Sequence, residues 1–278
     1  YAFQPESNIF SPGYNGPDGG YNTIDHVTHI NRIRTTDFTV TKHWEGDARN
    51  LYGTRPGTDR EGYTWETRFV IQRSTDGKSW EDVKDEEGKP LIDWLTGTDE
   101  MTDASKEITG LPAASPDGTP YQYRAQELEP REDLYESGSI EDANRIQQDG
   151  GYYENAYTAS YSNASKSNAD QPETASPSNA LASTEITNRL RTIDVIAEKK
   201  WWGEDRPESL TLTLQYLTAS PSSLEKPSES DWLNFADGVS EVTLKGTSEE
   251  KPDDRPGYEY EDWKAKWEDV PAHMPGSY

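Results

Sequence analysis

Apolar and polar residues alternate over much of this chain. Phe38, Val40 and Trp44 are interleaved with Thr39, Thr41 and His43, and Leu210, Leu212 and Leu214 with Thr211 and Thr213. Successive side chains of a strand leave on opposite faces, so a period of two marks a β-strand with one face buried. The same pattern predicts strands over residues 26–33, 63–73, 79–83, 106–111, 121–127, 183–190, 241–245 and 263–268. Ser74-Thr75-Asp76-Gly77 predicts a turn between two of them. Residues 1–34 are punctuated by Ser11-Pro12-Gly13 and Asn15-Gly16-Pro17-Asp18-Gly19-Gly20. No long apolar stripe occurs at helical spacing. Residues 130–183 are polar and rich in Ser, Asn and Ala, and read as a long loop or excursion.

One stretch occurs twice. Residues 31–44 align without a gap on residues 188–201, placing Asn31 on Asn188, Asp37 on Asp194, Lys42 on Lys199 and Trp44 on Trp201. A period this long means repeated domains rather than a short solenoid unit. Residues 35–190 are therefore expected to form one complete unit and residues 191–278 the first part of a second. Residues 1–34 resemble the closing strands of such a unit. Lys42 precedes Glu127 by 85 residues, and reading Lys199 through Tyr278 into Tyr1 reaches Glu6 after 85 as well. The chain thus reads as one period of a longer array, with residues 1–34 completing residues 191–278 of a preceding repeat or a neighbouring chain.

Composition sharpens this. The chain has 278 residues and a formal net charge of −25. The length suits about two domains. Only 31% of residues are hydrophobic, but 9 Trp, 16 Tyr and 5 Phe each bury a large area. The charge disfavours nucleic acid and anionic membrane surfaces, and its simplest use is solubility. The absence of cysteine excludes disulfides, cysteine catalysis and thiolate metal sites. No apolar run has membrane-spanning length, and no signal peptide is visible.

Three polar residues fall on faces that are otherwise apolar. Lys42 shares a face with Phe38, Val40 and Trp44, Glu127 with Tyr121, Tyr123 and Ala125, and Asn188 with Ile186 and Leu190. Each alone is compatible with an edge residue or a satisfied buried group. Three of complementary type, on the first, penultimate and last predicted strands of one unit, single out a candidate site.

These motifs carry a resemblance. Val40-Thr41-Lys42-His43-Trp44, the run from Leu111-Pro112 through Gly118 to Tyr121-x-Tyr123-x-Ala125-x-Glu127, and Ile186-Thr187-Asn188 resemble a Cna B-type domain, the B-type repeat of Gram-positive collagen-binding adhesins and pilins. The resemblance implies an all-β fold of tandem immunoglobulin-like (Greek-key) β-sandwich domains, each with a self-formed isopeptide bond. It implies that Lys42, as a neutral amine, attacks the Asn188 amide while a protonated Glu127 relays protons. That is a single-turnover maturation and not enzymatic turnover, and no cofactor is expected. An extracellular stalk, pilus-like fibre or surface filament follows, at the cell surface, with neighbouring repeats or copies of itself head-to-tail as partners.

For the split unit the corresponding triad is Lys199, Glu6 and Asn31. Lys200 is an alternative to Lys199, and Val27-Thr28-His29 is an alternative match to Ile186-Thr187-Asn188, which leaves histidine where asparagine is needed. A rival function is an adhesin module that binds a host protein or glycan through the 130–183 excursion, whose Tyr135, Tyr152, Tyr153, Tyr157 and Tyr161 suit recognition. Solvated loops account for the acidic clusters Asp85-Glu86-Glu87 and Glu249-Glu250, whose spacing is not that of a calcium loop. The histidines show no metal-ligand spacing.

Overall fold

A computed structural model describes residues 34–131, 140–165, 181–200, 207–217, 227–235, 239–245, 258–261 and 263–275. These residues are built from strands, with three single-turn 3-10 segments. The predicted strand over 26–33 lies outside them.

Nine strands come first: β1 (Thr35–Glu45), β2 (Trp65–Ser74), β3 (Glu81–Asp82), β4 (Ile92–Gly97), β5 (Asp103–Pro112), β6 (Gln122–Leu128), β7 (Gly151–Tyr152), β8 (Tyr157–Ser165) and β9 (Leu181–Leu190). One sheet has the order β5-β1-β9-β8-β7. In the other, β2 is central, with β6 on one edge and β4 followed by β3 on the opposite edge. The inward residues of both sheets merge in one core: Phe38, Val40 and Trp44 from β1, Trp65, Phe69 and Ile71 from β2, Tyr123 and Ala125 from β6, Ile186 and Leu190 from β9. Each fully buried apolar side chain contributes on the order of 1.5–3 kcal/mol, so a few aromatics replace the many aliphatics the chain lacks.

β1 and β9 run parallel and side by side, with Lys42 opposite Ile186 and Trp44 opposite Asn188. Parallel neighbours need a long crossover, and here the other seven strands supply it. The strand that opens this body therefore lies against the strand that closes it. The predicted excursion contains structure: β7 and β8 fall within it, and β8 extends the first sheet along β9. The composition of 130–183 hides this because, among the described residues of β8, only Tyr157 and Ala159 are fully buried apolar residues, with Tyr161 packed partly against the core. β4 also escaped the pattern. It turns Leu95 inward and leaves Trp94 half-exposed, and Gly97 admits the Trp65 ring, which a Cβ there would strike.

Seven further strands follow: β10 (Thr192–Glu198), β11 (Ser209–Thr213), β12 (Gln215–Leu217), β13 (Trp232–Asn234), β14 (Glu241–Lys245), β15 (Tyr258–Glu261) and β16 (Lys264–Pro271). They pair as β10-β16-β15, β11-β14 and β12-β13. Leu214, Phe235, Val242, Leu244, Trp267 and Val270 form a second core, which Tyr52, from the loop after β1, also enters. Its ring meets Phe235 edge-on at 5.2 Å.

The sequence repeat recurs as a backbone repeat. β1 pairs with β5 and β10 with β16, both antiparallel, and both registers break at the same place, at Asp37 and at Asp194. Opposite these breaks Gly110 and Asp269 both have left-handed backbones, with φ of +78° and +54°. The next contact is also shared: Ala113 N–H donates to the Arg34 carbonyl and Ala272 N–H to that of Arg191, both at 2.8 Å. A bulge with its first residue in the left-handed region bends and twists a strand at one fixed point.

Candidate functional site

Lys42, Glu127 and Asn188 meet inside the first core, and none is exposed to solvent. Their strands explain why. β1 and β9 are neighbours, so Lys42 and Asn188 lie diagonally on one face, two residues apart in register. β6 belongs to the opposite sheet and turns Glu127 towards that face, with Tyr123 and Ala125 beside it. The alternation that put three polar residues on apolar faces therefore delivers all three to one point.

A single carboxylate oxygen collects the contacts. Lys42 Nζ donates to Glu127 Oε1 at 2.8 Å, and Asn188 Nδ2 donates to the same oxygen at 3.2 Å. The Thr67 hydroxyl donates to it as well. Glu127 Oε2 and Asn188 Oδ1, by contrast, are buried with no hydrogen-bond partner. Both are acceptors, and a buried acceptor left unmade costs about 1–3 kcal/mol. A proton passed from Lys42 to the carboxyl would supply the missing donor, and half a turn of the Asn188 amide would present Oδ1 to it.

Burial acts on the amine in the same sense. Desolvation pushes the Lys42 ammonium down to about 8 from 10.5, against the opposing pull of the Glu127 carboxylate. An aromatic box surrounds the amine. Nζ stands 4.4 Å from the Trp44 ring centre and 5.3 Å from that of Tyr152. Trp65 and Tyr157 pack edge-on against Trp44, at 5.6 Å and 4.9 Å. These faces retain some affinity for the cation while excluding the water that would keep it charged.

Two features were not foreseen from the sequence. Thr67 was open to the same reasoning as Lys42, because it interrupts the inward series Trp65, Phe69, Ile71 of β2. The other is a buried ion pair, whose partners lie eight residues apart across an irregular turn with no periodic signal. Arg55 clasps Asp47 with bonds of 2.7 Å and 2.9 Å and also donates to the Met101 carbonyl at 2.8 Å. The Tyr157 hydroxyl donates to Asp47 at 2.7 Å and lies 2.7 Å from that of Thr54. Arg55 covers the Trp44 ring at 5.5 Å, so this network fixes the wall of the amine's box.

The remaining candidates lie elsewhere. Lys199 sits one residue past β10, exposed, with its backbone N–H on the Trp263 carbonyl at 2.8 Å. Glu6, Asn31, His29 and Trp201 lie outside the described residues, as does Tyr135. Lys200 is exposed beside Glu198. Tyr152 and Tyr157, considered above for recognition, are fully buried, and Tyr161 donates its hydroxyl to the Ile146 carbonyl at 2.8 Å. Asp85 accepts the Glu87 and Lys89 N–H groups and shapes a turn. No protein-family model matches this chain, and no curated protein does.

Proposed function

We propose that residues 35–190 form a self-locking immunoglobulin-like domain of the Cna B type, and that the chain is a structural repeat of an extracellular stalk, pilus-like fibre or surface filament. The observation that carries the proposal is the convergence of Lys42, Glu127 and Asn188 on one dry point between the opening and closing strands.

The chemistry follows from the geometry. Lys42 passes a proton to Glu127, and the neutral amine attacks Cγ of Asn188. The protonated carboxyl donates to Oδ1, where negative charge develops. The Cγ–Nδ2 bond then breaks as the new Nζ–Cγ bond is kept. Of the two protons that Lys42 gives up in all, one completes the departing ammonia and the other stays on Glu127, and the new amide nitrogen keeps the third. No outside reagent is required. Reactants held in contact within a core gain the effective concentration of an intramolecular reaction.

The product suits a load-bearing element. The chain enters through β1 and leaves through β9, which are parallel, so tension between the ends shears this pair along its length. A covalent bond from Lys42 to Asn188 carries that tension past the strands between. The repeated bulge of β1–β5 and β10–β16 supports a second unit of the same build, and hence partners that are neighbouring repeats or copies of itself head-to-tail.

Intact-mass measurement of the folded protein, followed by peptide mapping, tests the reading. Loss of one ammonia with a branched peptide joining Lys42 to Asn188 is the expected result. An unmodified mass would defeat it.

A further inference from the structure

We propose that Thr67, backed by Tyr152, is the positioning residue that aims the Glu127 carboxyl for bond formation. The inference rests on the isopeptide reading above and adds a part that the three reacting residues do not supply.

Glu127 needs its carboxyl plane fixed. It must take a proton from Lys42 on one side and offer one to Asn188 on the other, and a carboxyl at the end of a flexible side chain rotates freely unless held. The Thr67 hydroxyl holds it, donating to Oε1 from β2, the strand next to β6. Thr67 is 2% exposed, so water cannot do this work. Its own orientation is set from behind. The Tyr152 hydroxyl lies 3.4 Å from the Thr67 oxygen and donates to it, which commits the threonine hydrogen to Glu127. The same tyrosine presents its ring to Lys42. Oε1 then faces Lys42, Asn188 and Thr67 together, while Oε2 keeps a free acceptor position.

The other titratable groups around Lys42 and Glu127 are Tyr161 and Glu129, on the Glu127 side, and Asp47 with Arg55, beyond Trp44 on the Lys42 side. None of these replaces the Thr67 hydroxyl at Oε1.

The test uses full-length chain purified unfolded in urea and refolded over a pH series, with ammonia loss followed by intact mass and folding by tryptophan fluorescence. Thr67→Val keeps the shape and removes the donor. It is expected to slow bridging roughly ten- to hundredfold while the fluorescence-detected folding rate stays at the wild-type value. Thr67→Ser should restore the bridging rate, whereas a merely structural role would change folding and bridging together. Tyr152→Phe should act in the same direction with a smaller effect, and it carries the test if Thr67→Val does not fold. A wild-type bridging rate in the folded variants would overturn the role of Thr67 and leave the bridge intact. A wild-type chain that loses no ammonia would overturn the bridge, and this role with it.

Discussion

Lys42 and Glu127 form an ion pair of 2.8 Å in which neither side chain is exposed. The pair shares one proton between an amine and a carboxyl, and the attacking form, neutral amine beside neutral acid, holds the same number. Proton count therefore decides the pH dependence of bridging. Burial brings the amine down to about 8, and above that point the shared proton leaves and the acid partner is gone. The rate of ammonia loss from refolding chain should be flat at neutral pH and fall about tenfold per pH unit beyond about 8. A reaction needing only a free amine would instead accelerate up to that point, so the sign of the slope separates a proton-relaying Glu127 from a merely electrostatic one.

Removing the acceptor and removing the nucleophile should differ in cost. Asn188→Ala forfeits the proposed cross-link, which would close a loop of roughly 150 residues and by chain entropy would be worth on the order of 5 kcal/mol. Lys42→Ala forfeits the same bond and also strands the Glu127 charge in the core, at a further 3–5 kcal/mol or so. Urea denaturation of the two variants should show Lys42→Ala as the weaker. In Asn188→Ala the free amine also links stability to pH. Its folded pKa, about 8, lies below the ordinary 10.5, so the unfolded chain binds more protons between these values and stability should rise with pH across that window.

The sequence carried the site further than the fold around it. Lys42, Glu127 and Asn188 were legible because a period of two assigns every residue to a face, and a charged or amide group on an apolar face stands out. Thr67 obeyed that rule but is too ordinary in a strand to attract notice. β7 and β8 were hidden because their polar outward faces outnumber Tyr152, Tyr157 and Ala159. Partners brought together by a turn, such as Asp47 and Arg55, leave no periodic trace. Nor does Tyr52, whose place in the second core depends on tertiary packing alone.

The Asp47–Arg55 pair yields a prediction separate from the chemistry. Arg55 is 4% exposed and meets Asp47 through two bonds. Arg55→Ala leaves a carboxylate in the core with only the Tyr157 hydroxyl to face it, at a cost of about 3–5 kcal/mol. Replacing both partners with apolar residues of similar volume should recover much of that loss, because no charge is then stranded. Thermal melts of the single and double variants, made on the Asn188→Ala background to remove the bridge, decide between a pair that stabilises the fold and one that only avoids a penalty.

The paired bulges predict mutations of opposite sign at equivalent positions. Gly110 has φ +78° and open space where a Cβ would go, so Gly110→Ala meets no clash and pays only for the left-handed backbone, about 1–2 kcal/mol. Asp269, in the same place of the second bulge, already pays part of that cost at φ +54°. Asp269→Gly should therefore stabilise the β10–β16 pair, by less than about 1 kcal/mol because glycine also loses more freedom on folding. Hydrogen exchange at Ala113 and Ala272, whose N–H groups close the two bulges, reads each effect locally. Protection should fall at Ala113 in Gly110→Ala and rise at Ala272 in Asp269→Gly. A shift of the same sign at both sites would mean that the bulges are not equivalent devices.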